Sequence, residues 1–430
     1  MKVLMFGWEF PPHISGGLGT ACYGLTKGMS HIANLDVLFV VPKAFGDEEK
    51  SNIDLIGAND ITISKRKLKY KHFKKSLDYI EVSSRLVPYL DEEEFWKHTR
   101  RDTADSVKFL NVNKKGKVNF SGKYGANLMQ EIRDYAVVAN LIAQENEFDI
   151  IHAHDWLTYP AGIAAKEASG KPLVVHVHAT DFDRSGGKVN PAVFDIEKRG
   201  LDAADKVITV SNLTRNTVIE KYGIPADKVT TVYNAVEPLD AVRKQSLKKG
   251  VNEKIVTFLG RITMQKGPEY FIEAAHRVIQ KSDNVRFVMA GSGDMMEKMI
   301  RRAAQLKITH KFHFTGFLRG EEVFEMLAMS DLYVMPSVSE PFGISPLEAM
   351  QSNVPVLISH QSGVAEILTY AIKTNFWDVD AMADAIYGVI NYPGMARMFK
   401  SHGKTEVDSL KWENSALNVK QVYDSILEGQ

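Results

Sequence analysis

The sequence predicts an α/β protein made of two Rossmann-like, doubly wound domains and a helix at the carboxyl end of the chain. Apolar stretches typical of buried parallel strands alternate with stretches of helical length, both before and after a polar segment at 237–253. Glycine-rich turns follow several of these strands, at the edge where open α/β sheets bind ligands. The 430 residues suffice for two or three domains.

The first predicted domain covers residues 1–236. It begins with an apolar strand at 2–7, a loop, and a helix that opens at Gly16 and Gly17. This order of strand, glycine turn and helix can cradle a phosphate, although the glycines could equally serve only the tight turn. Further strands are predicted at 35–41, 148–156, 173–178, 206–211 and 228–234, and helices at 127–144, 191–203 and 212–222.

Residues 44–125 interrupt this pattern and are predicted to form a polar insertion in the first domain. They contain a basic run at 65–75 and an acidic run at 91–94. Solvated surface charge is the simpler explanation of these runs. A surface for an acceptor or a partner is the alternative, because aromatic residues stand among the lysines.

Two histidine pairs lie near the carboxyl ends of neighbouring predicted strands. His152 and His154 share one face of the first strand, which Asp155 follows, and His176 and His178 share one face of the next. Such a cluster could bind a metal ion, but buried strands also hold satisfied polar side chains near their ends. We favour the second explanation and predict no metal site.

The second predicted domain covers residues 254–405, and residues 406–430 carry a final helix at 410–427. Arg261 and Lys266 follow the first strand of this domain. An arginine and a lysine at this spacing can bind a diphosphate and stabilise its charge as it leaves, although two solvated cations are the alternative. Strands are predicted at 255–260, 285–291, 311–316, 331–336 and 354–359, and helices at 268–281, 294–306 and 321–329.

A pair of acids marks the stretch after the strand at 331–336. Glu340 follows that strand, and Glu348 stands eight residues later within a predicted helix. Gly343 and Ile344 form the turn between them, whose backbone N–H groups could hold an anion. The two carboxylates are suited to accept hydrogen bonds from hydroxyls. A ligand with both phosphates and sugar hydroxyls fits, and a nucleotide sugar is such a ligand.

Taken together and in this order, these motifs resemble retaining glycosyltransferases of the GT-B architecture, in particular bacterial and archaeal glycogen and starch synthases. The resemblance rests on Ser15-Gly16-Gly17-Leu18-Gly19, His152-Ala153-His154-Asp155-Trp156, His176-Val177-His178-Ala179-Thr180, Gly260-Arg261 with Lys266-Gly267, and Glu340 to Glu348. It implies two domains that face each other across a cleft, with the final helix crossing back to the first domain.

The resemblance also implies a role for each candidate residue. Arg261 and Lys266 would neutralise the departing diphosphate, Glu340 would orient the donor sugar, and Glu348 would bind the ribose hydroxyls. His178 would contact the sugar near its primary hydroxyl, and Asp155 would lie where donor and acceptor meet. Backbone amides at Gly16, Gly17, Gly343 and Ile344 would assist, and Phe317 and Leu318 would line the base pocket unless they belong to the core.

One position departs from the glycogen synthase pattern. A lysine with threonine or valine usually precedes the paired glycines, whereas this chain has Ile14 and Ser15. The change removes a cation near the donor phosphates, and it puts the donor nucleotide and full synthase identity in doubt. His13 could partly replace that charge.

Composition limits the remaining function classes. Equal numbers of basic and acidic residues, 53 of each, predict no general attraction to nucleic acid or anionic membranes. A single cysteine, Cys22, excludes an intrachain disulfide and fits a reducing compartment. Without a signal-peptide pattern or an apolar run of about 20 residues, the sequence predicts a soluble, cytoplasmic protein.

The sequence therefore predicts a metal-independent hexosyltransferase without a cofactor. We expect it to transfer glucose from ADP- or UDP-glucose, with retention of configuration, to the non-reducing end of an α-1,4-glucan. One alternative is a retaining glycosyltransferase of the same fold that acts on another sugar acceptor. The other is a catalytically silent glucan-binding protein, which the presence of Arg261, Lys266, Glu340 and Glu348 disfavours.

Overall fold

The computed structural model describes residues 1–14, 16–48, 53–61, 117–238 and 249–429. The chain divides into two compact units: Met1–Asn234 together with Trp412–Gln430, and Ala235–Lys411. Ser15, the basic and acidic runs of the predicted insertion, and residues 239–248 of the polar segment lie outside the described residues.

The first unit is built on a parallel sheet. Apolar residues fill its strands because helices cover both faces. The described strands are β1 (Lys2–Phe6), β2 (Asp36–Val41), β3 (Asp54–Gly57), β4 (Ile150–His154), β5 (Leu173–Val177), β6 (Lys206–Thr209) and β7 (Val229–Thr231), in the spatial order β3-β2-β1-β4-β5-β6-β7. The order reverses between β1 and β4, so the carboxyl ends of these two strands form the point where doubly wound sheets bind ligands.

The helices of this unit follow the strands in the alternation that the sequence predicts. Glycine ends three of them in the left-handed conformation that favours it, at Gly170, Gly186 and Gly223. They are α1 (Gly17–Ser30), α2 (Leu128–Glu145), α3 (Tyr159–Ser169), α4 (Asp181–Ser185), α5 (Pro191–Ala203) and α6 (Asn212–Tyr222).

The second unit repeats the architecture with another parallel sheet. Its described strands are β8 (Lys254–Leu259), β9 (Val285–Ala290), β10 (Phe312–Gly316), β11 (Leu332–Met335), β12 (Val356–Ser359) and β13 (Ile372–Thr374), in the order β10-β9-β8-β11-β12-β13. Its helices are α7 (Pro268–Lys281), α8 (Met296–Gln305), α9 (Glu321–Met329), α10 (Ser345–Gln351), α11 (Val379–Asn391) and α12 (Pro393–Asp408). Here the order reverses between β8 and β11, which places the loops after these two strands at the switch point.

The last helix, α13 (Trp412–Leu427), belongs to the first unit. Trp412, Val419 and Tyr423 are buried on one face of it, at helical spacing. That face packs on α1, where glycines at positions 24 and 28 leave room for Trp412. The chain thus returns to its first unit after it completes the second.

The structure confirms the two-sheet prediction but adds elements that the sequence did not reveal. The predicted insertion at 44–125 contains β3, an edge strand of the first sheet, and its far end contributes Val118 and Phe120 to the core of that unit. Its described ends are therefore part of the domain, because they bury apolar side chains. Within the described residues, no helix combines the length and apolar content needed to cross a bilayer.

Candidate functional site

The loop after β8 carries the two predicted diphosphate ligands. Arg261 is exposed, and its Nη2 lies 3.3 Å from Oε1 of the buried Gln265. The Gln265 carbonyl accepts a 2.9 Å hydrogen bond from the Val338 backbone N–H, so this loop is tied to the segment after β11. The aliphatic part of the Lys266 side chain lies over Gly260. A Cβ added at Gly260 would be 4.0 Å from Lys266 Cδ. Both cations therefore stand at the carboxyl edge of the sheet.

Gly267 permits the close approach of this loop to β11. Its φ is +66°, a left-handed conformation that favours glycine, and an added Cβ would lie 2.1 Å from the Pro336 carbonyl oxygen. Any other residue would push the loop away from the end of the strand. The glycine that follows Lys266 thus brings the lysine beside the residues after β11.

The carboxylate of Glu340 is fixed from several sides. Its backbone N–H donates to Gln361 O at 2.9 Å, and its carbonyl accepts from Gly363 N at 2.9 Å. Ser337 Oγ donates to the carboxylate at 3.3 Å, and Lys266 forms a short ion pair with it. Glu340 is buried, so this pairing compensates a charge that would otherwise be expensive to desolvate.

Glu348 lies in the first turn of α10, beyond the Gly343 turn. It is half-buried, and desolvation raises its pKa to about 7. Gly343 has φ +100°, and a Cβ there would approach Glu340 Cγ to 3.2 Å. Tyr333 OH, at the end of β11, lies 2.8 Å from Ser345 Oγ and fixes the start of this helix. The two acids, with Ile344 between them, are thus held on one short turn.

The two predicted base-pocket residues behave differently. Phe317 follows β10 with 53% of its surface exposed, and the Arg319 guanidinium lies 5.5 Å from its ring centroid. Leu318 instead packs against the small core cluster that contains Val288 and Met326. Of these two residues, Phe317 is the exposed one and Leu318 belongs with the core.

Gly16 and Gly17 open α1 beside the end of β1. Gly16 has an extended backbone (φ −174°), and a Cβ added at either glycine would meet nothing within 4 Å. The internal structure therefore does not require glycine at these positions, which weighs against the tight-turn explanation. His13 lies nearby, with Nε2 2.7 Å from Asp47 Oδ1 and its ring stacked on Phe45 at 3.9 Å.

Asp155 and His178 lie together after β4 and β5. Asp155 is buried at φ +60°, and its Oδ1 accepts hydrogen bonds from the backbone N–H groups of His178 (2.7 Å) and Ala179 (3.3 Å). Arg184 Nη2 lies 3.5 Å from Asp155 Oδ2 and donates to the Ala179 carbonyl at 2.8 Å. The carboxylate of Asp155 therefore holds the loop that carries His178.

A second acid completes this buried charge network. Arg184 Nη1 donates to Glu197 Oε1 at 2.9 Å, and Tyr222 donates a short hydrogen bond to the same carboxylate. Burial raises the pKa of Glu197 to about 7, although Arg184 and the Tyr222 hydroxyl lower it. Sequence reasoning identified Asp155 but missed Arg184 and Glu197, because their spacing shows no motif.

The four histidines line one face of β4 and β5. His154 pairs in register with His176, while Ala153 and Val175 point into the core on the opposite face. His154 Nδ1 lies 2.9 Å from His178 Nε2, and His152 Nδ1 lies 2.5 Å from Tyr423 OH on α13. Burial lowers the pKa of His152 to about 3 and lowers the pKa of the other three, so all four imidazoles are neutral near pH 7.

Two family models match most of the chain. Residues 241–406 match "Glycosyl transferases group 1", and residues 103–238 match "Glycosyltransferase Family 4". An uncharacterised glycosyltransferase of Methanocaldococcus jannaschii is 28% identical over 100% of this chain and 99% of its own length. A glycogen synthase of Mycobacterium tuberculosis is 27% identical over 66% of this chain and 70% of its own length. An α-maltose-1-phosphate synthase of Mycolicibacterium smegmatis is 28% identical over 67% of this chain and 81% of its own length.

Solved structures share the fold at low sequence identity. An Anabaena protein solved in complex with UDP and glucose aligns with a TM-score of 0.67 at 16% identity, covering 99% of this chain and 100% of its own. The sucrose-phosphate synthase of Thermosynechococcus elongatus aligns with a TM-score of 0.70 at 17% identity, covering 100% of both chains. The two parallel sheets thus correspond to the two Rossmann-like domains of GT-B proteins, and the chain is an enzyme that belongs to the group 1 glycosyltransferases.

Proposed function

We propose that this enzyme transfers glucose from ADP- or UDP-glucose to the non-reducing end of an α-1,4-glucan, with retention of the anomeric configuration. The observation that carries the proposal is the group formed by Arg261, Lys266 and Glu340 at the carboxyl edge of the second sheet. Lys266, paired with the fixed Glu340 carboxylate, and Arg261 on the same loop as Lys266 suit a ligand in which a diphosphate adjoins a sugar.

In this proposal, Lys266 and Arg261 bind the two phosphates of the donor. They stabilise the negative charge that develops as the bond from the anomeric carbon to the phosphate oxygen breaks. The acceptor hydroxyl oxygen forms the new bond on the same face of the sugar, and its proton passes to the departing phosphate. Because the side chains supply the positive charge, we expect transfer to proceed without a catalytic metal ion.

Glu340 and Glu348 bind hydroxyl groups of the donor, Glu340 on the sugar and Glu348 on the ribose. The buried, tightly held carboxylate of Glu340 suits orientation of the sugar. The exposed ring of Phe317 would stack on the base. The open space at Gly16 and Gly17 would let their backbone amides approach a phosphate, as would those of Gly343 and Ile344.

His178 contacts the donor sugar in this proposal, and Asp155 acts through it. The Asp155 carboxylate is buried and holds the backbone of the His178 loop. We therefore propose a positioning role for Asp155 in place of direct contact with the acceptor.

Nucleotide release tests the proposal directly. The enzyme is incubated with ADP-glucose or UDP-glucose, with and without glycogen, and the release of ADP or UDP is measured. EDTA is present throughout because no catalytic metal ion is expected. Glycogen-dependent release, with products that an α-1,4-specific glucosidase removes, is the expected result. Release that requires a different acceptor would overturn the glucan assignment but leave the donor assignment intact.

A second candidate is a transferase of the same fold with a small acceptor such as a sugar phosphate. Two observations favour it. Ile14 and Ser15 stand where glycogen synthases usually have a lysine followed by threonine or valine, and the M. smegmatis relative is named an α-maltose-1-phosphate synthase. Adding glucose 1-phosphate to the same assay distinguishes it, because release would then rise without glycogen.

A further inference from the structure

The histidine face of the first sheet has a feature that hydrogen bonding within the chain does not explain. His152, His154 and His176 are fully or almost fully buried beneath α1 and α13. Among the described residues, neither His152 Nε2, nor His154 Nε2, nor either ring nitrogen of His176 has a hydrogen-bond partner. Buried polar atoms normally have a partner in the protein or in ordered water, so several unpartnered nitrogens together mark a candidate ligand site.

The strand register explains how these rings come together. His152 and His154 are two residues apart on β4, and His176 lies opposite His154 on β5, so the three side chains leave the same face as neighbours. One ligand nitrogen from each of the three lies within 4.8 Å of the other two. A tetrahedral zinc ion with bonds of about 2.0–2.1 Å needs separations of about 3.3 Å. The three rings stack with nearly parallel planes, so they must turn about their side-chain bonds to direct their nitrogens at one ion.

In two of the rings, Nδ1 already has a hydrogen-bond partner while Nε2 has none. Nδ1 of His152 faces the Tyr423 hydroxyl at 2.5 Å, and Nδ1 of His154 faces His178 Nε2 at 2.9 Å. Such contacts fix the tautomer that leaves Nε2 free to bind a metal.

We propose that His152, His154 and His176 bind one transition-metal ion, with Zn²⁺ as the best fit, at an internal site between the first sheet and α13. Three nitrogen ligands match the preference of Zn²⁺. The site is structural: through His152 and Tyr423 it joins the sheet to the last helix. It is separate from the donor-binding group of the second unit.

A second set of side chains, Cys22, His154 and His178, also lies within 4.8 Å and shares His154. The contact between His154 and His178 uses one nitrogen of each ring and is compatible with either set, so the presence or absence of a sulfur ligand distinguishes the two.

Metal content of the tag-free protein tests the proposal. After expression with added zinc, we expect about one zinc per chain by mass spectrometry, and an anomalous peak at the three histidines in crystals. The His176→Gln and His154→Gln variants should lose the metal, whereas His31→Gln, an exposed histidine of the same unit, should retain it. Tyr423→Phe should weaken zinc binding about 10–100-fold without loss of fold.

Cobalt substitution identifies the ligands. We expect the visible absorption of four-coordinate Co²⁺ without a sulfur-to-cobalt charge-transfer band, and no change in Cys22→Ser. A charge-transfer band that Cys22→Ser abolishes would overturn the three-histidine assignment. Wild-type protein that neither retains zinc nor gains thermal stability with a tenfold excess of Zn²⁺ or Co²⁺ would overturn the site altogether.

Discussion

Substitution of Gly28 by alanine tests the packing of α13 on α1. A Cβ at position 28 would lie 2.5 Å from the Trp412 carbonyl oxygen and 2.7 Å from its carbonyl carbon. Ordinary contact requires about 3.4–4 Å, so the two helix backbones must separate by about 1 Å. No side-chain rotation can relieve this contact, because the atoms belong to the backbone of Trp412.

The expected cost follows from two opposing terms. Overpacking that shifts the backbone lowers the free energy of unfolding by about 1–3 kcal/mol. Gly28→Ala belongs near the upper end of this range because the clash is with backbone atoms of Trp412. Alanine is favoured over glycine in a helix by about 1 kcal/mol. We therefore expect Gly28→Ala to lower the free energy of unfolding of the first unit by about 2 kcal/mol, measured by urea denaturation with far-UV circular dichroism.

Gly388→Ala in α11 is the matched control. Its added Cβ would make only ordinary contacts with Met395, at 3.5 Å to Sδ and 3.9 Å to Cε, so helix propensity alone should act and stabilise the protein. If Gly28→Ala stabilised the protein as much as Gly388→Ala, α13 would not pack on α1 in solution. Gly24→Ala adds a further check, since its clash is with the Trp412 ring at 2.2 Å and should be relieved in the Gly24→Ala/Trp412→Leu double variant.

Three further predictions concern the candidate site. Because burial raises the pKa of Glu348 to about 7, the KM for the donor should fall as pH rises through 7, and Glu348→Gln should flatten this dependence. Phe317→Ala should raise the donor KM about tenfold through lost stacking, whereas Tyr392→Ala, equally exposed, should leave it unchanged. Arg184→Met should cost about 3–5 kcal/mol in urea denaturation, since it leaves two buried carboxylates unpaired, and adding Glu197→Gln should recover part of the loss.

The raised pKa of Glu348 also makes the stability of the folded state depend on pH in a defined direction. Its folded-state pKa lies above the ordinary value, so the folded state binds the proton more tightly than the unfolded chain. The resulting stabilisation is complete below about pH 4.5 and is lost as pH rises through 7. Thermal unfolding of wild type and Glu348→Gln at pH 5 and pH 8 would therefore show a smaller pH effect in the variant.

The sequence predicts the fold well because its signals are local. Buried parallel strands are apolar throughout, as in β1 and β11, and glycines mark the turns that follow them. β3 was missed because it is a short edge strand inside a polar region, and β13 because its three residues include Lys373 and Thr374. Neither strand carries the apolar run that identifies a central strand.

The candidate site is predictable where a motif lies on one loop and not where side chains meet across elements. Glu340 and Lys266 were found from their positions after strands, yet their ion pair depends on Gly267, whose close approach to Pro336 has no sequence signature beyond a glycine. Arg184 and Glu197 are thirteen residues apart, and only the fold shows that they join Asp155. Sequence reasoning also treated the histidines as satisfied, whereas several of their nitrogens have no partner in the described part of the chain.

The ion pair between Lys266 and Glu340 means that a single substitution cannot isolate the catalytic role of the lysine. Removing Lys266 leaves the Glu340 carboxylate buried beside Ser337 Oγ without the lysine charge, so Lys266→Ala combines lost phosphate binding with a misplaced carboxylate. In Lys266→Ala/Glu340→Gln the carboxylate charge is gone, so stability should recover, while transfer should stay at least about 100-fold below that of Glu340→Gln alone. Lys281→Ala, which breaks an exposed ion pair with Asp384, should change neither quantity. Transfer equal to that of Glu340→Gln alone would show that Lys266 serves only to neutralise Glu340, and the proposed role in diphosphate departure would be wrong.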